Sequence, residues 1–274
     1  MTQPSRFLVC PPHHFGIEYV INPWMEGQIH AANRSLAQRQ WAQFHSLLSA
    51  HSEVFSLSPV EGLPDLVFTA NAALVYRDLA VLSNFRFMER RGEAQYFSAW
   101  LSENGFRVQN LPPDIMFEGA GDALFDWAHS LLWMGHGFRS DLAAAPHLKQ
   151  LTGVDVQPLH LIDGRFYHLD TCFCPLERGF LLYYPPAFDA ESNHAIESRV
   201  PAEKRLALTD SDAVDFACNT VNIEGRVILN HASDETVRWL ESRDFQVIQT
   251  AMTEFMRAGG SAKCLSLRLD EPHQ

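Results

Sequence analysis

The sequence predicts a mixed α/β fold assembled from five copies of one unit. Three observations carry that expectation. A segment made of a small polar residue, an apolar strand, a short polar turn and a second apolar strand recurs along the chain. Its anchor residues, Asn71, Asp122, Asp170, Asn219 and Cys264, are spaced by 51, 48, 49 and 45 positions. Between the copies lie stretches with helical periodicity, so each period reads strand, strand, helix, strand. A fixed period of this size marks an array or a propeller.

The copies follow in order. The first is TANAALVYRDLAVLSNFR from Thr69, and the second is GAGDALFDWAHSLLWMGHGFR from Gly119. The third is HLDTCFCPLERGFLLYYPPAF from His168, and the fourth is ACNTVNIEGRVILNHAS from Ala217. The fifth is split: CLSLRLDE from Cys264 supplies one strand and RFLVCPP from Arg6 the other. Spacing predicts helices over residues 35–52, 93–104 and 235–243. The first of these puts Leu36, Trp41, Phe44, Leu47 and Leu48 on one face. Pairing the last strand with the first would close the sheets into a ring and hide their edges. An open α/β sheet is the alternative, and periodicity alone does not decide between them. In a closed ring every anchor opens its hairpin at the same end. Asn71, Glu118, Asp122, His168, Asp170 and Cys264 then converge on the axis.

Composition narrows the function. The chain has 274 residues, 46% hydrophobic and 20% charged, which suits one soluble domain spanning 1–274. A net charge of -12 without any basic block argues against a nucleic-acid binder and favours a cationic partner weakly. No stretch approaches the roughly 18 apolar residues of a membrane span. The N-terminal MTQPSRFLVCPPHHFG has an apolar run of four, too short for a signal peptide. A cytoplasmic protein is expected, with no membrane partner. Five cysteines at irregular spacing are expected as free thiols.

The converging residues include a nucleophile and its helpers. A thiol near neutral pH needs an adjacent base or cation to react. His168 can act as general acid and base for Cys264, and Glu118 can orient and charge the imidazole. Taken singly, Cys264 reads as a small core residue, His168 as a satisfied buried histidine and Glu118 as a turn residue. Their shared position at the hairpin mouths favours function. Carboxylates such as Asp170 and Glu118 bind a planar guanidinium in bidentate fashion. Arg90 and Arg139 can hold a substrate carboxylate, although each alone reads as a solvated surface charge. In HLDTCFC, alternation along a strand puts His168, Asp170, Cys172 and Cys174 on one face. A structural zinc site pairs two such clusters, and no second cluster exists, so no metal is expected. No GxGxxG, GxxxxGK[ST] or GxSxG pattern appears.

PDLVFTANAALV, FEGAGDALF, FYHLDTCFCPL and GGSAKCLSL together resemble the guanidine-modifying enzymes: arginine deiminase, dimethylarginine dimethylaminohydrolase and amidinotransferase. The resemblance runs from Cys10 to Leu269 with every motif in order. It implies a five-fold pseudo-symmetric α/β propeller, the pentein fold, and a Cys-His-Glu site without metal or organic cofactor. YVINPWMEG (residues 19–27) and LDTCFCPL resemble most the catalytic domain of cyanobacterial-type arginine dihydrolases. There it is fused to a second, C-terminal region, so the chain is expected to be a stand-alone catalytic domain.

Carried over by motif, the resemblance implies Cys264 as nucleophile, His168 as general acid/base and Glu118 as its carboxylate partner. It implies Asp170 on the guanidinium, Arg90 and Arg139 on the substrate α-carboxylate, and Asp65 and Asn22 at the amino-acid end. One position departs from much of the group. Where deiminases and dimethylaminohydrolases typically end the motif on an acid, this chain has Asn71. An amide can donate to the ureido oxygen of citrulline, as a carboxylate anion cannot. The expected activity is therefore hydrolysis of L-arginine to ornithine, two ammonia and carbon dioxide. The alternatives are a deiminase stopping at citrulline, a methylarginine hydrolase, an amidinotransferase needing an amine acceptor, and a non-enzymatic propeller scaffold. Oligomeric state is left open, a homo-oligomer included. VINPWMEGQIH reads as a gate.

Overall fold

Among the described residues, fifteen short strands group into five three-stranded sheets, one per repeat. The structure is a computed structural model and describes residues 4–271. The first three residues of the stretch considered above as a leader lie outside them. Strand β1 (Arg6–Val9) pairs in parallel with β2 (Glu53–Ser56). The second sheet holds β3 (Ala73–Tyr76), β4 (Leu79–Leu82) and β5 (Arg107–Asn110). The third holds β6 (Ala123–Phe125), β7 (Leu131–His136) and β8 (Asp155–His160). The fourth holds β9 (Phe173–Leu176), β10 (Phe180–Tyr183) and β11 (Arg205–Ala207). The fifth holds β12 (Val221–Ile223), β13 (Arg226–Leu229) and β14 (Gln246–Gln249). Last comes β15 (Leu267–Arg268), antiparallel to β1 with Leu8 opposite Leu267. The two ends of the chain thus share one sheet, and the ring is closed as the split repeat predicts.

Each sheet follows one rule. Two antiparallel strands, linked as a hairpin in four sheets and supplied by the two ends of the chain in the first, are joined by a third, parallel strand that the chain adds after a helix. Parallel pairing needs such a crossover of a dozen or more residues. The five crossover helices are Arg34–Ser49, Ala94–Glu103, Ala144–Thr152, Ala190–Arg199 and Asp234–Glu241. The three expected helices are among them, each within a few residues of its predicted ends. Side chains of Asn33, Asp189 and Ser233 cap three of them by accepting from Leu36 N, Ser192 N and Thr236 N. The turn between β12 and β13 places Glu224 and Gly225 both at positive φ, the geometry a tight two-residue hairpin requires.

Burial grades outward within each sheet. Strands β3 and β4 are buried throughout, whereas β5 is exposed at both ends. The inner strands are buried on both faces, because successive side chains enter opposite seams between sheets. Leu74 packs in the cluster shared with β6 and β7, and its neighbour Val75 packs in the cluster shared with β1 and β15. Leu181 and Leu182 divide in the same way. Continuous apolar runs such as LAVL follow from this.

Two expectations are corrected. CLSLRLDE is not a strand from Cys264 onward: β15 covers only Leu267–Arg268, and Cys264 lies in the turn before it. Nor does HLDTCFC present four side chains on one strand face. Leu169–Thr171 form a single helical turn, β9 begins at Phe173, and Cys172 and Cys174 pack in different hydrophobic clusters. All five cysteines are free, and no group of metal ligands forms among the described residues. No helix of the described residues is long and apolar enough to cross a membrane.

Closure by β15 should be visible in stability. Leu267 is fully buried in the seam between the first and second sheets. Leu267→Ala should cost about 2–5 kcal/mol in urea unfolding followed by tryptophan fluorescence. Met88→Ala, at a side chain 78% exposed, should change it by less than about 0.5 kcal/mol.

Candidate active site

The five anchors sit at one end of the ring, each in the turn before the first strand of a hairpin. Asn71 lies in the turn Thr69–Ala72, Asp122 in Gly119–Asp122 and Asp170 in Leu169–Thr171. Adjacent turns bond to one another around the axis. Ala70 N donates to Cys264 O (3.1 Å), and Leu169 N donates to Asp122 Oδ1 (3.0 Å). Asn219 Nδ2 donates to Asp170 O (3.0 Å), and Cys264 N donates to Asn219 Oδ1 (3.1 Å). Between Asn71 and Asp122 the contact is steric. A Cβ on Gly121 would stand 2.2 Å from Asn71 Nδ2 and 3.4 Å from His168 Cγ, so only glycine fits there.

The convergence predicted from the repeat is therefore present. Cys264 Sγ lies 3.0 Å from Asn219 Nδ2 and 3.3 Å from Asp170 Oδ2. Its side-chain hydrogen bonds are to these two residues and not to His168, and the Ser261 backbone N–H also favours the thiolate. His168 Nε2 is 2.7 Å from Glu118 Oε2. A carboxylate accepts only, so Nε2 carries the proton and Nδ1 is the nitrogen left for a reactant. Arg139 Nη1 donates to the same Glu118 oxygen at 3.0 Å. Burial raises the Glu118 carboxyl, but the Arg139 charge and then the His168 hydrogen bond outweigh it and hold it well below the usual carboxylate range. Glu118 is thus anionic and holds the imidazole.

A small cavity opens beside the thiol. Its lining includes Ile21, Asn22, Asp65, Asn71, Arg90, Arg139, Tyr167 and Cys264. Glu118, His168 and Asp170 are not in the lining. They connect to it through Arg139 and Cys264. Both arginines are buried, not solvated, at 3% and 2% exposure. Arg90 forks onto Glu93 with two bonds of 2.8 Å, donates to Asn71 Oδ1 at 2.8 Å and reaches Asp65 O at 3.3 Å. Arg139 lies between the rings of Phe87 and Tyr167, 4.6 and 4.5 Å from their centroids, and donates to Ile21 O. Two of its five donors are used by Glu118 and Ile21. Asn22 donates to Ala258 O at 3.0 Å and accepts from Trp24 N.

Glycines 259 and 260 explain the approach to the thiol. Gly259 has φ +87°, and a Cβ there would stand 2.7 Å from Tyr167 Oη and 3.0 Å from Asn22 Oδ1. A Cβ on Gly260 would stand 2.6 Å from the Phe68 ring. Sequence reasoning did not single out Tyr19, Tyr167 or Glu93 as site residues. Tyr19 donates to Asp65 Oδ2 at 2.9 Å. Tyr167 could have been suspected from its place beside His168, and Glu93 from its spacing of three after Arg90.

Three buried polar atoms in this centre lack a partner: Asp65 Oδ1, Asp170 Oδ1 and Asn71 Nδ2. Burial pushes Asp65 up and raises Asp170 to about 7. Burial, and then the Asp170 carboxylate, push the Cys264 thiol well above its ordinary range. Two acceptors and one donor therefore await a ligand that brings N–H groups and positive charge.

Comparison with known proteins agrees with this chemistry. The family model for eukaryotic N,N-dimethylarginine dimethylhydrolase matches residues 20–269. The bifunctional arginine dihydrolase/ornithine cyclodeaminase AgrE of Nostoc sp. is 55% identical over 99% of the chain, which spans 39% of that relative's length. The N(G),N(G)-dimethylarginine dimethylaminohydrolase of Mycobacterium tuberculosis is 34% identical over 96% of the chain and 85% of its own length. The N-terminal domain of ArgZ, an arginine dihydrolase of the cyanobacterial ornithine-ammonia cycle, superposes with a TM-score of 0.97 at 52% identity. The match covers 98% of this chain and 99% of that one, in a C264S variant bound to substrate. The same domain as N71S is covalently bound to a reaction intermediate.

The thiol's environment sets a pH dependence. With its pKa raised, the reactive thiolate is scarce at neutral pH and grows as pH rises. Iodoacetamide alkylation of Cys264 in ligand-free protein, followed by peptide mass spectrometry, should still be accelerating at pH 9.0, the ordinary thiol value. Asp170→Asn removes the repelling carboxylate and should speed alkylation at about pH 8 by roughly threefold or more.

Proposed function

The chain belongs to the dimethylarginine dimethylaminohydrolase family, and from that premise we propose that its pocket hydrolyses the guanidinium group of L-arginine. The observation that carries this reading is the set of unpartnered atoms around the thiol, Asp65 Oδ1, Asp170 Oδ1 and Asn71 Nδ2. They ask for a ligand cationic at two places and able, after reaction, to present an oxygen. Arginine has a guanidinium at one end and an ammonium at the other. Hydrolysis turns its guanidinium into the ureido group of citrulline.

The roles follow the geometry. Asp170 holds the guanidinium against Sγ, and Asp65 and Asn22 take the amino-acid end. Arg139 and Arg90 face the α-carboxylate across the same cavity, although most of the Arg90 donors are spent on Glu93, Asn71 and Asp65 O. The incoming cation offsets the Asp170 charge and favours the thiolate. Cys264 attacks the guanidinium carbon; its thiol proton passes to His168 Nδ1 and from there to the departing nitrogen, which leaves as ammonia. His168 then takes a proton from water, which attacks the same carbon. The C–S electron pair returns to sulfur and citrulline is released. A second cycle on citrulline, with Asn71 donating to its oxygen, gives ornithine, ammonia and carbon dioxide. In sum, arginine and two waters yield ornithine, two ammonia and carbon dioxide.

The substrate-bound and intermediate-bound forms of the ArgZ domain support this reading. The family model favours a second one, release of a methylamine from methylated arginine. The whole of residues 1–274 is proposed as one catalytic unit, without metal or organic cofactor.

Incubation of the protein with L-arginine alone should give one ornithine and two ammonia per arginine, measured by amino-acid analysis and an ammonia assay. Citrulline with one ammonia would make it a deiminase, and turnover of dimethylarginine alone would establish the second reading. Cys264→Ser should lower turnover by about 10⁴-fold or more. Asn71→Asp should shift the product from ornithine to citrulline while arginine is still consumed.

A further inference from the structure

Asn219 and Asp122 are the two anchors that the proposed roles leave without chemistry, and of these Asn219 is the one that bonds to the thiol. It is fully buried. Its Oδ1 accepts from Ser261 N and Cys264 N, both at 3.1 Å. Backbone N–H groups only donate, so these two bonds fix which way the amide points. Nδ2 must face the other side, where it donates to Asp170 O and lies 3.0 Å from Cys264 Sγ. Both Nδ2 protons and both Oδ1 lone pairs are used, which leaves the amide no second orientation. The main chain adds a further tie, from Lys263 N to Asn219 O at 3.2 Å. On its other flank the sulfur meets Asp170 Oδ2 at 3.3 Å, an acceptor that favours the protonated thiol.

We infer that Asn219 is a further catalytic residue, the side-chain donor that holds Cys264 Sγ in place and stabilises its thiolate against Asp170. The role applies twice per cycle. The donor lowers the energy of the attacking thiolate, and it does so again when the C–S bond breaks and the electron pair returns to sulfur. It rests on the assignment of Cys264 as nucleophile. Among the described residues, Asn219 is the only side chain that donates to this sulfur.

Two substitutions separate this role from a merely structural one. Asn219→Asp keeps an oxygen for Ser261 N and Cys264 N but replaces the donor with an acceptor. Asn219→Ser is uncharged but too short to keep both backbone bonds. A role limited to the two Oδ1 bonds predicts that Asp is the milder change. Donation to sulfur predicts that Asp is the harsher one.

The measurement is the pH profile of Cys264 alkylation by iodoacetamide, located by peptide mass spectrometry, beside kcat and KM for arginine. The expected order of alkylation rate is wild type, then Ser, then Asp, with Asp slower by about tenfold or more, which corresponds to about one pKa unit. The rate constant kcat should fall in the same order with KM changed by less than about threefold. Asp alkylating as fast as or faster than Ser, or both matching wild type, would overturn the inference. Should Asn219→Asp not unfold cooperatively, the Ser profile decides: a shift to higher pH supports the role and an unshifted profile refutes it. Alkylation is scored without arginine. A wild-type protein that leaves arginine untouched would therefore sink the proposed function while this comparison still stands.

Discussion

The fold depends on hydrogen bonds that run from one anchor turn to the next around the ring axis. Each turn before a hairpin leaves backbone groups that no strand ladder can take. Buried and unpaired, each would be costly. The neighbouring repeat takes them instead: Cys264 O accepts from Ala70 N, Asp122 Oδ1 from Leu169 N, and Asn219 Oδ1 from Cys264 N. Four of the five junctions between neighbouring turns are bonded in this way, and the fifth, between Asn71 and Gly121, is close-packed, so no repeat is complete alone. This is why the chain ends share a sheet: without β15 beside β1, the last turn would have no frame to hold the thiol.

The same constraint explains the charge pattern of the site. Ionised groups inside a protein persist only when paired and hydrogen-bonded. Glu118 has both Arg139 and His168 at one oxygen, and Arg90 is forked by Glu93. Asp65 and Asp170 each keep one oxygen without a partner. Satisfied charges build the frame, and the incompletely satisfied acids define where a cation is wanted. The thiol sits beside one of those acids, which together with burial favours its protonated form. On the proposed reading, an arriving cation offsets that acid and favours the thiolate.

Much of this was legible in the sequence, for a physical reason. Hairpins and helices leave periodic signatures, and their recurrence at 45 to 51 residues exposed the repeat and the anchors, whereas closure into a ring was implied by the family resemblance. What stayed hidden depends on long-range pairing. Arginine is an exposed type on average, so Arg139 reads as surface until Glu118, 21 residues away, and the Phe87 and Tyr167 rings are placed around it. The segment after Cys264 alternates like a strand, yet Cys264 spends its N–H and carbonyl on Asn219 and Ala70, leaving no ladder to extend. Asn219 was visible as an anchor, but its chemistry needs the amide orientation that Ser261 and Cys264 impose.

Asn71 and Asn219 show what an amide does that a carboxylate cannot in a buried ring of acids. In each, fixed donors occupy the oxygen: Arg90 at Asn71, backbone N–H groups at Asn219. Each therefore turns its Nδ2 toward the centre. Asn219 spends its donor on sulfur, and Asn71 keeps its donor unpartnered. A guanidinium has no oxygen for that donor, so the donor is of little use in the first hydrolysis. Citrulline does have one. On the proposed reading, Asp170 and Asp65 bind the cation that enters, while the Arg90-locked amide of Asn71 suits the neutral intermediate that follows. One pocket can then serve two successive substrates of different charge because the acceptor beside the thiol, Asp170, and its single unpartnered amide donor, on Asn71, reside on different repeats.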